Sequence, residues 1–255
     1  MKTFERKIAL VTGGSRGLGK NMAIAIAQKG IDLVITYNSN KAASNEVVTA
    51  IQSIGQKAVA FQLDTSNTKQ FDTFIEQVTT YLKSEYGQAK FDFLINNAGT
   101  ALYAPVGDVT EEQMDAIYNI HYKGVFFLTQ KALPFLHDGG AIINVSSGLT
   151  RITMPGASVY ASLKTAVETQ TRYLAKELGG RKIRANVVAP GAIETDFGGG
   201  RTRDNKEINA TIAGFTALGR VGLPDDIGGV IAFLCTDDAY WINGQRIEVS
   251  GGQAL

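Results

Sequence analysis

The chain has 255 residues, 44% of them hydrophobic and 19% charged, with a formal net charge of +1. That length suits one large α/β domain or two small ones, and the near-neutral balance gives no reason to expect nucleic acid or an anionic membrane as partner. The single cysteine, Cys235, excludes an intramolecular disulfide and sits in the apolar run 230–234, where it reads as a small buried hydrophobe. With two histidines and no Cys/His cluster at metal-ligand spacing, no metal site is expected. Residues 1–7 carry no signal peptide and no apolar run reaches membrane-spanning length, so the expectation is a cytoplasmic protein.

Short apolar runs alternate with amphipathic stretches along the chain. A strand is predicted at 8–11 and a helix at 17–29, ended by Gly30. A strand at 33–35 precedes a helix at 41–54, and a strand at 58–61 precedes a helix at 68–85. A strand at 91–95 leads to a long helix around 110–136, and a strand at 141–145 to a helix around 157–178. A strand at 183–188 is followed by an irregular stretch, 191–222, which contains Gly198, Gly199 and Gly200. A helix around 224–235 and a strand at 246–249 complete the pattern. Alternating strands and helices imply right-handed crossovers and a doubly wound parallel sheet with helices on both faces. No linker or repeat divides the chain, so residues 1–255 read as one domain, with the irregular stretch as a substrate lid.

The first strand enters a glycine-rich turn, Gly13, Gly14, Ser15, Arg16, Gly17, Leu18, Gly19, that opens a helix. Glycines permit the tight turn and close backbone approach, and the helix N-terminus offers free N–H groups to a pyrophosphate. The spacing Gly13-x-x-x-Gly17-x-Gly19 departs from the common G-x-G-x-x-G form. An acidic residue about 20 positions past the loop would bind the ribose 2′-hydroxyl of NAD. Here the second strand ends in Tyr37, Asn38 and Ser39 with no carboxylate, while Arg16 can meet a 2′-phosphate. The expected cofactor is NADP(H); a solvated loop arginine is the alternative reading of Arg16.

Tyr160 and Lys164 share a helix face, and a nearby cation makes a phenol with an ordinary pKa near ~10 a usable acid or base. That pair alone is weak. Ser146 and Ser147 follow the fifth strand, Asn96, Asn97, Ala98 and Gly99 follow the fourth, and Pro190 and Gly191 follow the sixth. All converge on the carboxyl edge, where open α/β sheets bind ligands.

On the joint, ordered occurrence of these motifs, with Ser147 thirteen residues before Tyr160 and with Asn186, Pro190, Gly191 and Thr195 beyond, the chain resembles the short-chain dehydrogenase/reductase family over nearly its whole length. The resemblance implies a Rossmann-type fold of about seven strands, commonly a homotetramer, and a small-molecule carbonyl or alcohol substrate, as in 3-oxoacyl-[acyl-carrier-protein] reductases, sugar and polyol dehydrogenases and carbonyl reductases. It implies that Tyr160 protonates the carbonyl oxygen, that Ser147 polarises it, and that Lys164 binds the nicotinamide ribose and lowers the tyrosine pKa. Asp64 would contact the adenine, or else cap a helix. Asn97, Ala98, Gly99, Pro190, Gly191, Ile193 and Thr195 would line the cofactor. The family's usual asparagine is replaced by His121, and Asn119 points about 200° away on a helix. His121 either holds a proton-relay water or only fills the space.

An oxidoreductase acting through Tyr160 is thus the leading expectation. A non-catalytic dinucleotide-binding regulator or scaffold is the alternative, and a dehydratase or epimerase has no specific support. Phe197, Ile208, Ile212 and Phe215 of the lid, with Leu102, Tyr103, Leu149 and Met154, suggest an apolar pocket, or ordinary packing. Arg201 and Arg203 can meet an anionic carrier or be solvated surface. Apolar residues beyond one helical stripe (Val125, Phe126, Phe127, Leu128, Tyr173, Leu174) fit a subunit interface.

Overall fold

The computed structural model describes residues 6–255. Seven strands, β1 (Ile8–Val11), β2 (Asp32–Tyr37), β3 (Ala58–Gln62), β4 (Phe91–Asn96), β5 (Leu136–Val145), β6 (Arg184–Pro190) and β7 (Arg246–Val249), form one sheet in the order β3-β2-β1-β4-β5-β6-β7. Every neighbouring pair is parallel. The order reverses between β1 and β4, so the crevice outside their carboxyl ends is a topological switch point.

Alternation along the strands divides the interior into two cores. Ala9, Val11, Leu33, Ile35, Phe93, Ile95, Ala141 and Ile143 join residues of α1 (Gly17–Ala27), α2 (Lys41–Ser53) and α9 (Asp225–Leu234) on one face. Ile8, Leu10, Val34, Leu94 and Ile142 join α3 (Phe71–Tyr86), α5 (Gly124–Ala132) and α6 (Ser158–Glu177) on the other. Period-two alternation with both faces apolar is what a covered parallel sheet requires. Cys235 lies in the first core with its thiol pushed up to about 12 by burial, as expected of an inert side chain.

Three predicted elements change. The helix expected around 110–136 is α4 (Glu111–Tyr118), a π-helical turn at Asn119–Lys123, and α5, which gives way to a 3₁₀ turn at Leu133–Phe135 containing Pro134. Strand β5 begins at Leu136, five residues before the predicted start, with irregular pairing to β4 between Phe91 and Phe93. The irregular stretch contains two helices, α7 (Arg201–Asp204) and α8 (Lys206–Gly214). Asn205 caps α8 by accepting from the backbone N–H groups of Glu207 and Ile208 at 3.0 Å each. No helix among the described residues is long and apolar enough to cross a membrane.

Candidate active site

The glycine turn is fixed by Thr12 and Asn97. Thr12 Oγ1 accepts from the N–H of Asn97 at 2.9 Å and of Ala98 at 3.0 Å, and Asn97 Nδ2 donates to the Thr12 carbonyl at 2.9 Å. These bonds tie the end of β1 to the end of β4. Gly13 has φ +66°, and a Cβ at Gly19 would lie 2.0 Å from the Gly13 carbonyl oxygen. The turn therefore closes only on glycine. Arg16, at the N-cap of α1, is exposed and extended at φ −156°, and gives the helix no side-chain cap. Helix N–H groups without a side-chain cap beside a glycine cradle fit a pyrophosphate. Gly17 faces the Thr195 side chain, 3.6 Å from where its Cβ would be.

Beyond the loop, Tyr37, Asn38, Lys41, Gln62 and Asp64 line one cavity at the ends of β2 and β3. Lys41, the first residue of α2, escaped the sequence reading, although a cation just past the strand without a carboxylate was its available signal. With Arg16 it supplies two exposed cations that make no ion pair among the described residues, a fit for a 2′-phosphate. Asp64 Oδ1 is occupied in a local turn, accepting from Ser66 N at 2.9 Å and Ser66 Oγ at 2.7 Å, while the helix cap weighed for it is supplied by Asn67 instead.

Around the opposite side of the crevice, Ser147, Tyr160, Lys164 and His121 come together. The Tyr160 ring is buried, with the Ser147 hydroxyl beside its phenol. Burial raises the phenol pKa; Ser147 opposes the shift and nearby Tyr103 adds to it. Lys164 is 4% exposed, donates from Nζ to the Val145 carbonyl at 2.8 Å and lies 5.7 Å from the Tyr160 ring centre. Desolvation brings its ammonium down to about 7. The lowering of the tyrosine pKa expected of Lys164 is therefore not seen: burial raises the phenol, and the one opposing influence comes from Ser147.

His121 is fully buried in the π turn, its ring 5.1 Å from that of Tyr160 at near-perpendicular orientation. Its Nε2 lies 2.7 Å from the Thr100 carbonyl and 3.2 Å from the Thr100 N–H. The shorter contact selects the tautomer in which Nε2–H donates to the carbonyl, leaving Nδ1 as an acceptor. That Nδ1 is buried without a partner among the described residues. Burial and the charge of Lys164 bring the imidazole down to about 3, so it is neutral at ordinary pH. A Cβ at Gly99 would lie 2.6 Å from His121 Cε1, so the glycine after β4 is what admits the ring.

Pro190 ends β6, and Gly191 N–H donates to the Val249 carbonyl at 3.0 Å. Ile193 pairs with Gly222 across the base of the 191–222 stretch, and Thr195 Oγ1 accepts from Phe197 N at 3.2 Å. Phe197 stacks at 5.8 Å from Tyr160, and Gly198 packs on Tyr103, whose ring carries Arg201 at 5.8 Å. Arg203 is committed to Asp196 and Asp204, at 2.5 Å and 2.7 Å. Phe215 and Met154 are exposed, and Ile208 and Ile212 are half-buried on α8. The sequence reading also missed the buried chain from Asn96 Nδ2 to Asn144 Oδ1 at 2.8 Å and from Asn144 Nδ2 to Thr171 Oγ1 at 2.9 Å, which ties β4, β5 and α6 beneath the site.

A family profile described as enoyl-(acyl carrier protein) reductase matches residues 13–254. An uncharacterised oxidoreductase of Methylorubrum extorquens is 41% identical over 252 residues, covering 99% of each chain. A hydroxynaphthalene reductase-like protein of Metarhizium brunneum is 37% identical over 262 residues, covering 98% of this chain and 96% of its own. Among solved structures, the angucycline C-6 ketoreductase LanV with bound NADP superposes with a TM-score of 0.93 at 35% identity, over 98% of this chain and 96% of its own. With the fold, the motifs and these relatives in agreement, the chain belongs to the short-chain dehydrogenase/reductase family.

Proposed function

We propose that the protein is a cytoplasmic, NADP(H)-dependent reductase that interconverts a carbonyl and a secondary alcohol, with Tyr160 as the general acid and base. Reductase relatives and an NADP-bound structural neighbour support the reaction class. The observation that carries the assignment of roles is the buried Tyr160 phenol, with the Ser147 hydroxyl beside it and buried Lys164 5.7 Å from its ring, at the strand edge that also holds the glycine turn. NADPH, when bound, supplies the hydride to the carbonyl carbon. Gly13, Ser15, Arg16, Gly17, Leu18 and Gly19 would hold its phosphates, with Arg16 and Lys41 at the 2′-phosphate. Tyr37, Asn38, Ser39 and Asp64 would face the adenosine. Asn97, Ala98, Gly99, Pro190, Gly191, Ile193 and Thr195 would line the rest.

In this reading Ser147 donates to the carbonyl oxygen and Tyr160 passes its proton to that oxygen as negative charge develops there. The high phenol pKa keeps the proton in place until the reaction demands it. Lys164 sits near its titration point and can return a proton to the phenol. His121, with its low pKa, does not carry the proton; its unpartnered Nδ1 would accept from a relay water that passes the proton on. Residues 1–255 are taken as one domain with 191–222 as the lid. Exposed Phe126, Phe127 and Tyr173 support a homotetramer. The Phe197 ring against Tyr160, with Tyr103 nearby, and the internal pairing of Arg203 favour a cyclic or aromatic ketone over a carrier-bound 3-oxoacyl group.

The test is NADPH oxidation with a carbonyl panel that includes α-tetralone and a 3-oxoacyl thioester. Wild type is expected to turn over with NADPH in preference to NADH, and Tyr160→Phe to lose about 10²–10⁴ in kcat while still binding NADPH. Cofactor binding without turnover by the wild type would favour the regulator or scaffold reading.

A further inference from the structure

Behind Ser147 lies a chain of charges that the proposed chemistry does not touch. Glu168, on α6 one turn beyond Lys164, is 8% exposed. Its Oε1 accepts from Ser146 Oγ at 2.7 Å and from Arg246 Nε at 2.9 Å, and lies 2.9 Å from Thr150 Oγ1. A carboxylate this deep is stable only when its acceptor positions are filled, and here the partners come from three elements. Ser146 follows β5, Thr150 belongs to the 3₁₀ turn Gly148–Thr150, and Arg246 opens β7.

These contacts bracket one residue. Ser146 precedes Ser147; Thr150 Oγ1 lies 3.0 Å from the Ser147 carbonyl; and Arg246 Nη2 reaches both Thr150 Oγ1, at 3.0 Å, and the Ser147 carbonyl, at 3.4 Å. The Ser147 hydroxyl, meanwhile, accepts from Leu149 N at 3.2 Å. The side chain before the serine and the serine's own carbonyl are therefore held by one half-buried ion pair. That pair is anchored in turn: Arg246 Nη1 donates to Glu248 at 2.9 Å, and Glu248 receives Arg151 in bidentate fashion at 2.9 Å and 2.6 Å. Arg151 also donates to the carbonyls of Gln253 and Ala254, at 2.6 Å and 2.9 Å. The two arginines hold Glu248 well below the usual carboxylate range.

We infer that the Glu168–Arg246 pair is a positioning device for Ser147: it sets where the serine hydroxyl meets the phenol and the carbonyl oxygen, without itself touching substrate or cofactor. The inference rests on the reading of Ser147 and Tyr160 given above. A hydroxyl held on a 3₁₀ turn has little else to fix it, and a misplacement of about 1 Å can cost roughly a hundredfold in rate.

The experiment is a double-mutant cycle read with NADPH and α-tetralone, or the best ketone of the panel. Glu168→Gln keeps the side-chain volume and removes the charge; Arg246→Met removes the other partner from a less buried position and serves if the first variant fails to fold. Each is expected to lower kcat by about tenfold to a hundredfold, with the dissociation constant for NADPH unchanged. On a Ser147→Ala background the same substitutions should cost less than about threefold, because a device that acts through the serine hydroxyl has nothing left to position. An equal loss with and without Ser147, or no loss in either single variant, overturns the inference. Full activity in Tyr160→Phe would instead overturn the catalytic reading, so the two failures are distinguishable.

Discussion

Around Thr12 and Asn97, backbone and side-chain groups of β1 and β4 interlock at 2.9–3.0 Å, and the residues behind them are almost all inaccessible to solvent. Between Asp196 and Arg220 the chain runs through three successive glycines at positive φ, its ion pairs face water, and Phe197, Phe215 and Leu218 expose apolar surface. One region has its geometry determined by a parallel sheet packed on both sides; the other is attached mainly at its ends, through the Ile193–Gly222 and Thr216–Gln253 bridges. In the proposed reading, the positions that must be accurate to a fraction of an ångström, the proton donor and the phosphate turn, rest on the packed sheet. In the same proposed reading, recognition of the substrate's bulk falls to the second region, where local opening costs least.

The contrast can be broken most severely at the turn. Gly19→Ala places a methyl against the Gly13 carbonyl, which is backbone and cannot swing away. NADPH affinity should fall by about a hundredfold or more and Tm should drop by several degrees, as read by fluorescence titration and thermal melting. Unchanged affinity would mean that the turn is as compliant as the lid.

A smaller effect is expected at His121. Its folded pKa is depressed to about 3, against roughly 6.5 when unfolded. Between those values the unfolded chain binds a proton that the folded one refuses, so this residue's contribution makes the fold less stable as pH falls through that window, by at most about 1.4 kcal/mol per pH unit. His121→Asn should flatten the decline of Tm with falling pH between about 6.5 and 3 relative to wild type. Its kcat should change as well if Nδ1 belongs to the proton route. Identical pH profiles of both Tm and kcat in the two proteins would reduce the ring to a space-filler.

The lid should yield the mildest response. Phe197→Ala removes an exposed ring that contacts Tyr160. KM for the ketone is expected to rise by about threefold to tenfold, with Tm within about a degree or two of wild type. A large loss of Tm would show that this segment belongs to the core after all.

The sequence made the first region readable because its information is local. Gly13, Gly17 and Gly19 fall within seven residues, and Tyr160 and Lys164 on one helix face. Hydrophobic alternation gave the seven strands and their order of appearance. Where the reading failed, the determinants were short-lived or distant. α8 is nine residues of mixed polarity whose clearest signal is the Asn205 cap. β5 starts early at Leu136, through the polar and glycine residues His137 to Gly140, which do not resemble a strand. The π turn inserts its extra residue without any proline or glycine to announce it at positions 119–123. The Glu168–Arg246 pair joins residues 78 apart, and no spacing rule reaches across that distance.

The segment 250–254 sets an order on biosynthesis. Gln253 accepts from Ala192 N at one end of the lid and pairs with Thr216 at the other, while its carbonyl receives Arg151 from the serine turn. Translation delivers the phosphate turn first, the tyrosine helix next, and these closing contacts after both. A nascent chain halted before residue 246 can have built β1 to β6, yet it has neither β7 nor the bonds that gather lid and serine turn around the crevice. The crevice is thus gathered only once residues 246–254 have followed the strands that frame it.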